Sequence, residues 1–187
     1  MIVILDGDSG AGKTALCKFL VESGWFYYGK YTSRPKRIEE LNSKSAVGGK
    51  HVSESFFEKK NILDGFVSYK YGKYRYGIEL SEFEKIIQSG ESICVVIRDT
   101  QTIKSIVQKF ASFCKVSVIS VYTNEEVCRS RLIDAGYTED MANERVFRKP
   151  KSIERYMKNP NLYDGVVIND MSFELSKKCL LGIISDD

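Results

Sequence analysis

Eight consecutive residues, Gly7-Asp8-Ser9-Gly10-Ala11-Gly12-Lys13-Thr14, leave this chain few options. They match G-x-x-x-x-G-K-[ST] without a gap, behind the apolar run Ile2–Leu5 and ahead of a helix-forming stretch. Glycines let successive backbone N–H groups curl around an anion, and the following helix turns its partly positive end to the same point. Lys13 is then placed to bridge the β- and γ-phosphates of a nucleoside triphosphate. The Thr14 hydroxyl is a hard oxygen suited to magnesium. Gly7, Ser9, Gly10, Ala11, Gly12, Lys13 and Thr14 are therefore the expected donor site, for ATP with Mg2+. The competing reading is a ligand-free turn, but packing alone does not call for three glycines and a lysine at the end of a buried strand.

The rest of the chain supplies the frame such a loop needs. Ile2–Leu5, Ser92–Ile97, Lys115–Tyr122 and Val166–Ile168 are β-branched or apolar runs that read as buried strands. Between them, Lys13–Ser23, Ser81–Ser89, Thr102–Phe113, a stretch ending near Gly136, one from Thr138 towards Met157, and Phe173–Ile184 read as helices. Ser81 with Glu84 and Thr123 with Glu126 have the spacing of capping boxes, and Thr138 that of an N-cap. Buried strands separated by helices predict an α/β fold, a parallel sheet with helices on its faces. Two segments break the alternation. Residues 31–79 are rich in Tyr, Gly, Lys and Ser and suit an insertion with hairpins and one short helix near Ser55–Lys60. Residues 125–150 are helical but charged, and predict a lid over the carboxyl edge of the sheet. At 187 residues, with 43% hydrophobic and 28% charged, the chain predicts one globular domain. No apolar run approaches the ~20 residues of a membrane span, and none follows Met1 as in a signal peptide. Five scattered cysteines without a C-x-x-C pair, and a single histidine, predict a reduced cytoplasmic protein without a zinc site. A net charge of +3 suits anionic small molecules and argues against nucleic acid as a partner.

Three segments bear on a second substrate. In Tyr31-Thr32-Ser33-Arg34-Pro35-Lys36-Arg37-Ile38-Glu39-Glu40, two guanidinium groups beside a rigid proline suit a phosphomonoester. A solvated charged loop is the plainer reading. Gly72-Lys73-Tyr74-Arg75-Tyr76-Gly77-Ile78 offers phenol donors and close backbone approach, or simply a Tyr-rich hairpin. Arg98-Asp99-Thr100-Gln101 follows a strand whose carboxyl end faces the ligand crevice of open α/β sheets. Asp99 there suits a base or sugar donor, a water-mediated magnesium, or a helix N-cap. His51 alone reads as an ordinary loop residue.

Taken in this order behind the phosphate loop, these segments resemble the guanylate kinase family over nearly the whole chain. The family's T-T-R-x-x-R-x-G-E is similar to residues 32–40, its Y-G turn to Tyr76-Gly77, and its D-x-Q to Asp99-Thr100-Gln101. Its R-L lid helix resembles Arg131-Leu132, its later lid arginine Arg145, and its V-x-N-D strand end Val167-Ile168-Asn169-Asp170. The resemblance implies a P-loop kinase fold with an acceptor-binding insertion (31–89) and a lid (125–150). It implies phosphoryl transfer from ATP with Mg2+ to a nucleoside monophosphate, GMP or dGMP first. Arg34, Arg37, Glu40, Tyr76 and Asp99 would hold the acceptor. Arg131, Arg145 and Arg148 would offset charge on the transferring group together with Lys13, and Asn169 would touch the adenine.

The departures fall on base reading. Lys30 stands where the family has a serine, Ser68 near the place of its glutamate, Ile78 in place of a hydroxyl residue, Gly49 for a tyrosine, and Ala135 for a lid arginine. The Ser33-Arg34-Pro35 step, Gly77-Ile78 and, loosely, His51-Val52-Ser53 resemble the ribose bisphosphokinases instead, whose acceptor has no base. The other open readings are a non-catalytic binding module of the same shape, against which Lys13 argues, and a nucleic-acid-end kinase using Tyr69–Arg75 to stack bases.

Overall fold

The computed structural model describes residues 1–37, 40, 47–60 and 65–185; Ile38 and Glu39 of the arginine segment lie outside them. The chain runs β1 (Ile2–Gly7), α1 (Lys13–Glu22), β2 (Phe26–Tyr27), β3 (Tyr31–Thr32), β4 (Lys50–His51), α2 (Glu54–Lys60), β5 (Phe66–Tyr71) and β6 (Tyr74–Glu79). It continues α3 (Leu80–Gln88), β7 (Ile93–Val96), α4 (Thr100–Phe110), β8 (Val116–Tyr122), α5 (Glu125–Asp134), α6 (Glu139–Val146), α7 (Ser152–Lys158), β9 (Gly165–Ile168) and α8 (Phe173–Ser185).

Two sheets result. The first has the strand order β2-β7-β1-β8-β9 and is parallel throughout. Its centre shows why β1 reads as a continuous apolar run rather than an alternating one. Val3 and Leu5 pack on Leu16, Leu20 and Leu180 on one side, while Ile2 and Ile4 pack on Phe83, Ile103, Ile106 and Phe110 on the other. Both faces are covered by helices, so Ile2, Val3, Ile4 and Leu5 are all apolar. The second sheet, β4-β3-β6-β5, is an antiparallel arrangement apart from the β3–β4 pair. It carries the β5–β6 hairpin, in which Tyr69 opposes Tyr76 and their rings stack with centroids 5.5 Å apart. No described helix is long and apolar enough to cross a membrane.

Three local expectations are corrected. Neither capping box forms. Glu79 sits at the N-cap of α3, leaving Ser81 inside the helix. Asn124 caps α5 by accepting from the Glu126 N–H, because the Thr123 hydroxyl is drawn inward to the Ala11 and Asn169 carbonyls. The helix capped by Thr138 also stops at Val146, and a separate α7 starts at Ser152. Pro150 lies between them, with no N–H to give and a ring that blocks the preceding turn.

A buried ion pair fixes α7 to the end of β1. Arg155 donates from Nε to Asp6 Oδ2 at 2.9 Å and from its terminal nitrogen to Oδ1 at 2.6 Å, and the Tyr163 hydroxyl donates to Oδ2 at 2.9 Å. The two side chains are 6% and 0% exposed. Removing one partner of such a pair leaves an uncompensated buried charge. Arg155→Met should therefore lower the unfolding free energy in urea by roughly 3–5 kcal/mol. A loss below ~1 kcal/mol, the scale of an exposed pair, would show that this contact does not hold the domain together.

Candidate functional site

The loop after β1 is shaped by what lies behind it. Gly10 and Gly12 have φ of 82° and 89°, in the region that favours glycine. A Cβ at Gly12 would stand 2.1 Å from Asn169 Nδ2, and one at Gly10 2.5 Å from the Cys128 carbonyl oxygen. The loop is pressed against its supports as well as curled. Asn169 and Thr123 both donate to the Ala11 carbonyl, at 2.9 and 3.2 Å. Arg131 donates to the Gly10 and Asn169 carbonyls at 3.4 and 2.8 Å. Asp8 would repel phosphate if it faced the loop's hollow. Instead its carboxylate accepts from the backbone and hydroxyl of Ser152, at 3.0 and 2.9 Å. Lys13 is 6% exposed and donates to the Asp8 carbonyl at 2.5 Å. Burial, reinforced by Arg98, pushes its ammonium well below the usual lysine range.

A cavity of about 1020 Å³ opens from this loop towards the second sheet and α6. Lys13, Thr14, Arg34, Arg37, Glu40, Tyr76, Arg131 and Arg145 all line it, so the structure brings together most of the residues singled out in the sequence. Glu40 organises the far side. It takes Arg34 in a forked contact at 2.7 and 3.0 Å and the Arg37 backbone N–H at 2.8 Å. Burial opposes its charge, yet these donors hold its carboxyl below the ordinary range. His51 braces the same turn, with Nδ1 2.6 Å from the Arg34 carbonyl and Nε2 3.5 Å from Glu40. Opposite them, Arg145 lies over the Tyr137 ring at 4.4 Å. Among the described residues the Nε atoms of Arg34 and Arg145 are buried without a hydrogen-bond partner.

Asp99 and Asn169 are placed differently. The Asp99 carboxylate caps α4, accepting from the Thr102 N–H and hydroxyl at 2.8 and 2.7 Å. Asn169 is 2% exposed and sits behind the loop, its oxygen taken by the Ser176 hydroxyl at 3.0 Å. Neither lines the cavity, and neither does Ile78, which is fully buried in the core. Thr14 is exposed on the cavity wall, and among the described residues no group of three His, Cys, Asp or Glu side chains is arranged to hold a metal. One exposed hydroxyl is a donor set that would fit Mg2+ where phosphate oxygens and water fill its remaining positions.

Sequence reasoning missed the supports: Asp6 with Arg155, Asp8 with Ser152, and His51 with Glu40. It also missed a cationic floor. Lys30 donates to the Tyr69 hydroxyl at 2.8 Å and lies over the Tyr69 and Tyr76 rings. Arg98 and Arg148 lie over the Tyr71 ring, at 5.0 and 5.7 Å. The tyrosines and glycines of the hairpin were the available signal, since a pleated Tyr pair presents a face on which cations stack.

A glycine-rich loop on the carboxyl edge of a parallel sheet, facing a second sheet across a cation-lined cavity, defines an α/β protein with helices on both faces of its main sheet. Comparison with known proteins finds guanylate kinases. A guanylate kinase of Sulfurimonas denitrificans is 29% identical, over 99% of this chain and 86% of the relative. One of Clostridium acetobutylicum is 25% identical, over 100% of this chain and 90% of the relative. The crystal structure of guanylate kinase from Anaplasma phagocytophilum shares the fold, with a TM-score of 0.65 at 15% identity over 99% of this chain and 84% of that one. No protein-family model matches the chain. The chain is thus similar to guanylate kinases in sequence and shares their fold.

Burial, then Arg98, Arg37 and Arg34, push the Lys30 ammonium down to about 7. In the unfolded chain its pKa returns to about 10.4. Between those values the folded protein holds fewer protons than the unfolded one, so stability rises with pH across that interval. The melting temperature of the wild type should therefore gain more than that of Lys30→Met between about pH 6.5 and 9.5. Parallel curves for the two proteins would mean that Lys30 titrates as an ordinary surface lysine.

Proposed function

We propose that this protein transfers the γ-phosphoryl group of MgATP to the phosphate of a nucleoside monophosphate, with GMP or dGMP the leading acceptor, and that it works in the cytoplasm. The observation that carries the reading is the pair of buried, unpartnered guanidinium nitrogens on Arg34 and Arg145, lining one cavity with the phosphate loop. A buried donor without an acceptor costs about 1–3 kcal/mol, and a phosphate oxygen supplies such an acceptor. The relatives named guanylate kinase support the nucleoside monophosphate as acceptor.

In this reading residues 31–89 bind the acceptor and 125–150 form the lid. The loop N–H groups and Lys13 hold the donor phosphates, and Thr14 would hold the Mg2+, which neutralises charge on the β- and γ-phosphates. Arg34, Arg37 and Tyr76 hold the acceptor phosphate, with Glu40 fixing the direction of Arg34. Arg145, and Arg148 from the same helical segment, meet charge that develops on the transferring group. Arg131 keeps the loop shaped through the Gly10 and Asn169 carbonyls. Asn169 supports the loop from behind, and Asp99 holds the start of α4 at the rim. Positioning and charge neutralisation account for the rate, with no covalent intermediate.

Lys13→Ala should lower turnover by several orders of magnitude in a folded protein, since the side chain ends in the cavity rather than the core. Unchanged turnover would end the ATP reading. Arg34→Ala should raise the acceptor KM and lower kcat, by roughly ten- to a hundredfold in kcat/KM, the size of a lost charge-assisted contact. ATP binding should change less. The opposite pattern, with ATP binding impaired and the acceptor spared, would assign the arginine turn to the donor.

Base discrimination should be shallow. Lys30 and Ser68 replace base-reading residues, Ile78 is withdrawn into the core, and Asp99 has one carboxylate oxygen committed to its helix. A site that lacks hydrogen-bonding partners for a base cannot reject its analogues strongly. Comparison of kcat/KM for GMP, dGMP, AMP, CMP, UMP and dTMP under one condition should show more than one working acceptor. A preference for GMP above about a thousandfold, or ~4 kcal/mol, over every competitor would refute this.

A further inference from the structure

Several half-buried or buried cations have a carboxylate: Arg34 has Glu40, Lys60 has Glu79, Lys151 has Glu125 and Arg155 has Asp6. Among the described residues Lys30 and Arg98 form no ion pair, and unlike Arg131, which donates to backbone carbonyls, they meet mainly neutral phenols and rings. Among the described residues Lys30 has one hydrogen bond, to the neutral Tyr69 phenol, and two aromatic faces. Arg98 has the Ser9 hydroxyl at 3.4–3.5 Å, at the limit of a hydrogen bond, and the Tyr71 ring. Both line the 1020 Å³ cavity, and the Arg98 backbone lies against the same Tyr69 phenol that Lys30 engages. They come from different elements than the phosphate grip: Lys30 precedes β3 and Arg98 follows β7, whereas Arg34 and Arg37 follow β3. Glu40 is fully engaged with that grip and cannot serve them.

We infer that Lys30 and Arg98, with the Tyr69 hydroxyl, form a second anion subsite in the acceptor cavity, so that a nucleotide or sugar phosphate carrying a further phosphate or carboxylate binds there more tightly than a singly phosphorylated acceptor such as GMP. The inference rests on the reading of this cavity as the acceptor site. Its physical basis is charge balance. Two cations held side by side in a half-buried site repel each other and have lost much of their hydration. An anionic group there replaces the lost hydration with charge-assisted hydrogen bonds. The same crowding is what depresses the Lys30 ammonium, with Arg98, Arg37 and Arg34 facing it as cations, Tyr69 and Tyr76 as phenols, and Asp6 as the weak opposing charge. A neutral base edge would leave Arg98 uncompensated and give Lys30 nothing that favours its charged form.

The test has a binding arm and a turnover arm. Calorimetry with GMP, xanthosine 5′-monophosphate, guanosine 3′,5′-bisphosphate and ribose 1,5-bisphosphate compares one anionic group with two. It separates an ionised base from a second phosphate on the sugar, with or without a base. At least one doubly anionic compound should bind about ten- to a hundredfold tighter than GMP, the scale of one charge-assisted contact. Lys30→Met and Arg98→Met should each cut that advantage by a larger factor than they cut GMP binding. The proposal is overturned if GMP binds as tightly as every doubly anionic compound, or if the two variants weaken all four equally. ADP release measured on the same set keeps the two readings apart. A binding preference without turnover would sink the kinase reading and leave the subsite standing, whereas turnover of GMP without the binding preference would do the reverse.

Discussion

The Asp6 carboxylate is the point on which the glycine-rich loop and its surroundings, the proposed donor half, depend. It closes β1, is fully buried, and accepts from the Gly7 N–H, from two nitrogens of Arg155 and from the Tyr163 hydroxyl. A charge buried that completely is tolerated only when its oxygens are filled. Filling them forces α7 and the turn before β9 against the root of the phosphate loop. Asp8 extends the link by accepting from the first residue of α7. The loop is thus tied on one side to α7 and on the other, through Thr123, Asn169 and Arg131, to β8, β9 and α5. A phosphate site needs its N–H groups fixed before the ligand arrives, and this ring of ties supplies that preorganisation.

Much of the fold was legible because it depends on local patterns. The apolar runs of β1, β7 and β8 have no polar face, and only a sheet covered on both sides tolerates that. The glycine-lysine loop follows from the same logic, since its spacing states the backbone conformation it needs. The misread positions have a common cause. Ser81 and Thr123 have the right chemistry for caps, but Glu79 and Asn124 take those places, in Thr123's case because a tertiary contact with the loop outweighs a local one. Asp99 is the reverse case: a residue suggestive of ligand chemistry has a carboxylate oxygen committed to its own helix. His51 and the Asp6–Arg155 pair could not be read from spacing, because each meets its partner across a distance in sequence that carries no periodic signal.

The proposed acceptor half follows a different rule from the proposed donor half. Around the cavity its cations rest largely on aromatic faces, Tyr69 and Tyr76 for Lys30, Tyr71 for Arg98 and Arg148, Tyr137 for Arg145, with Glu40 holding the arginine turn and Glu144 also pairing Arg148. An aromatic face holds a cation by roughly 0.5–2 kcal/mol without cancelling its charge. The side chains are therefore oriented while their positive potential remains available. Carboxylate partners in the same places would have given a firmer apo structure and a weaker anion site.

That choice bears on closure. Arg148, from the segment proposed as the lid, reaches the Tyr71 ring and approaches Gly72 to 3.4 Å of where a Cβ would stand, so the two sides of the cavity meet at the hairpin. Bringing them together also concentrates Arg145 and Arg148 on Lys30, Arg37 and Arg98, and like charges oppose the approach more strongly as water leaves. Anionic ligands reverse the sign of that energy. In the proposed reaction, the closed arrangement is then favoured by bound phosphates far more than by protein contacts alone, and a differential of this kind is what a ligand needs to shift a conformational equilibrium. Closure that waits for both anions excludes water only when a competent acceptor is in place, which protects ATP from hydrolysis in the absence of one.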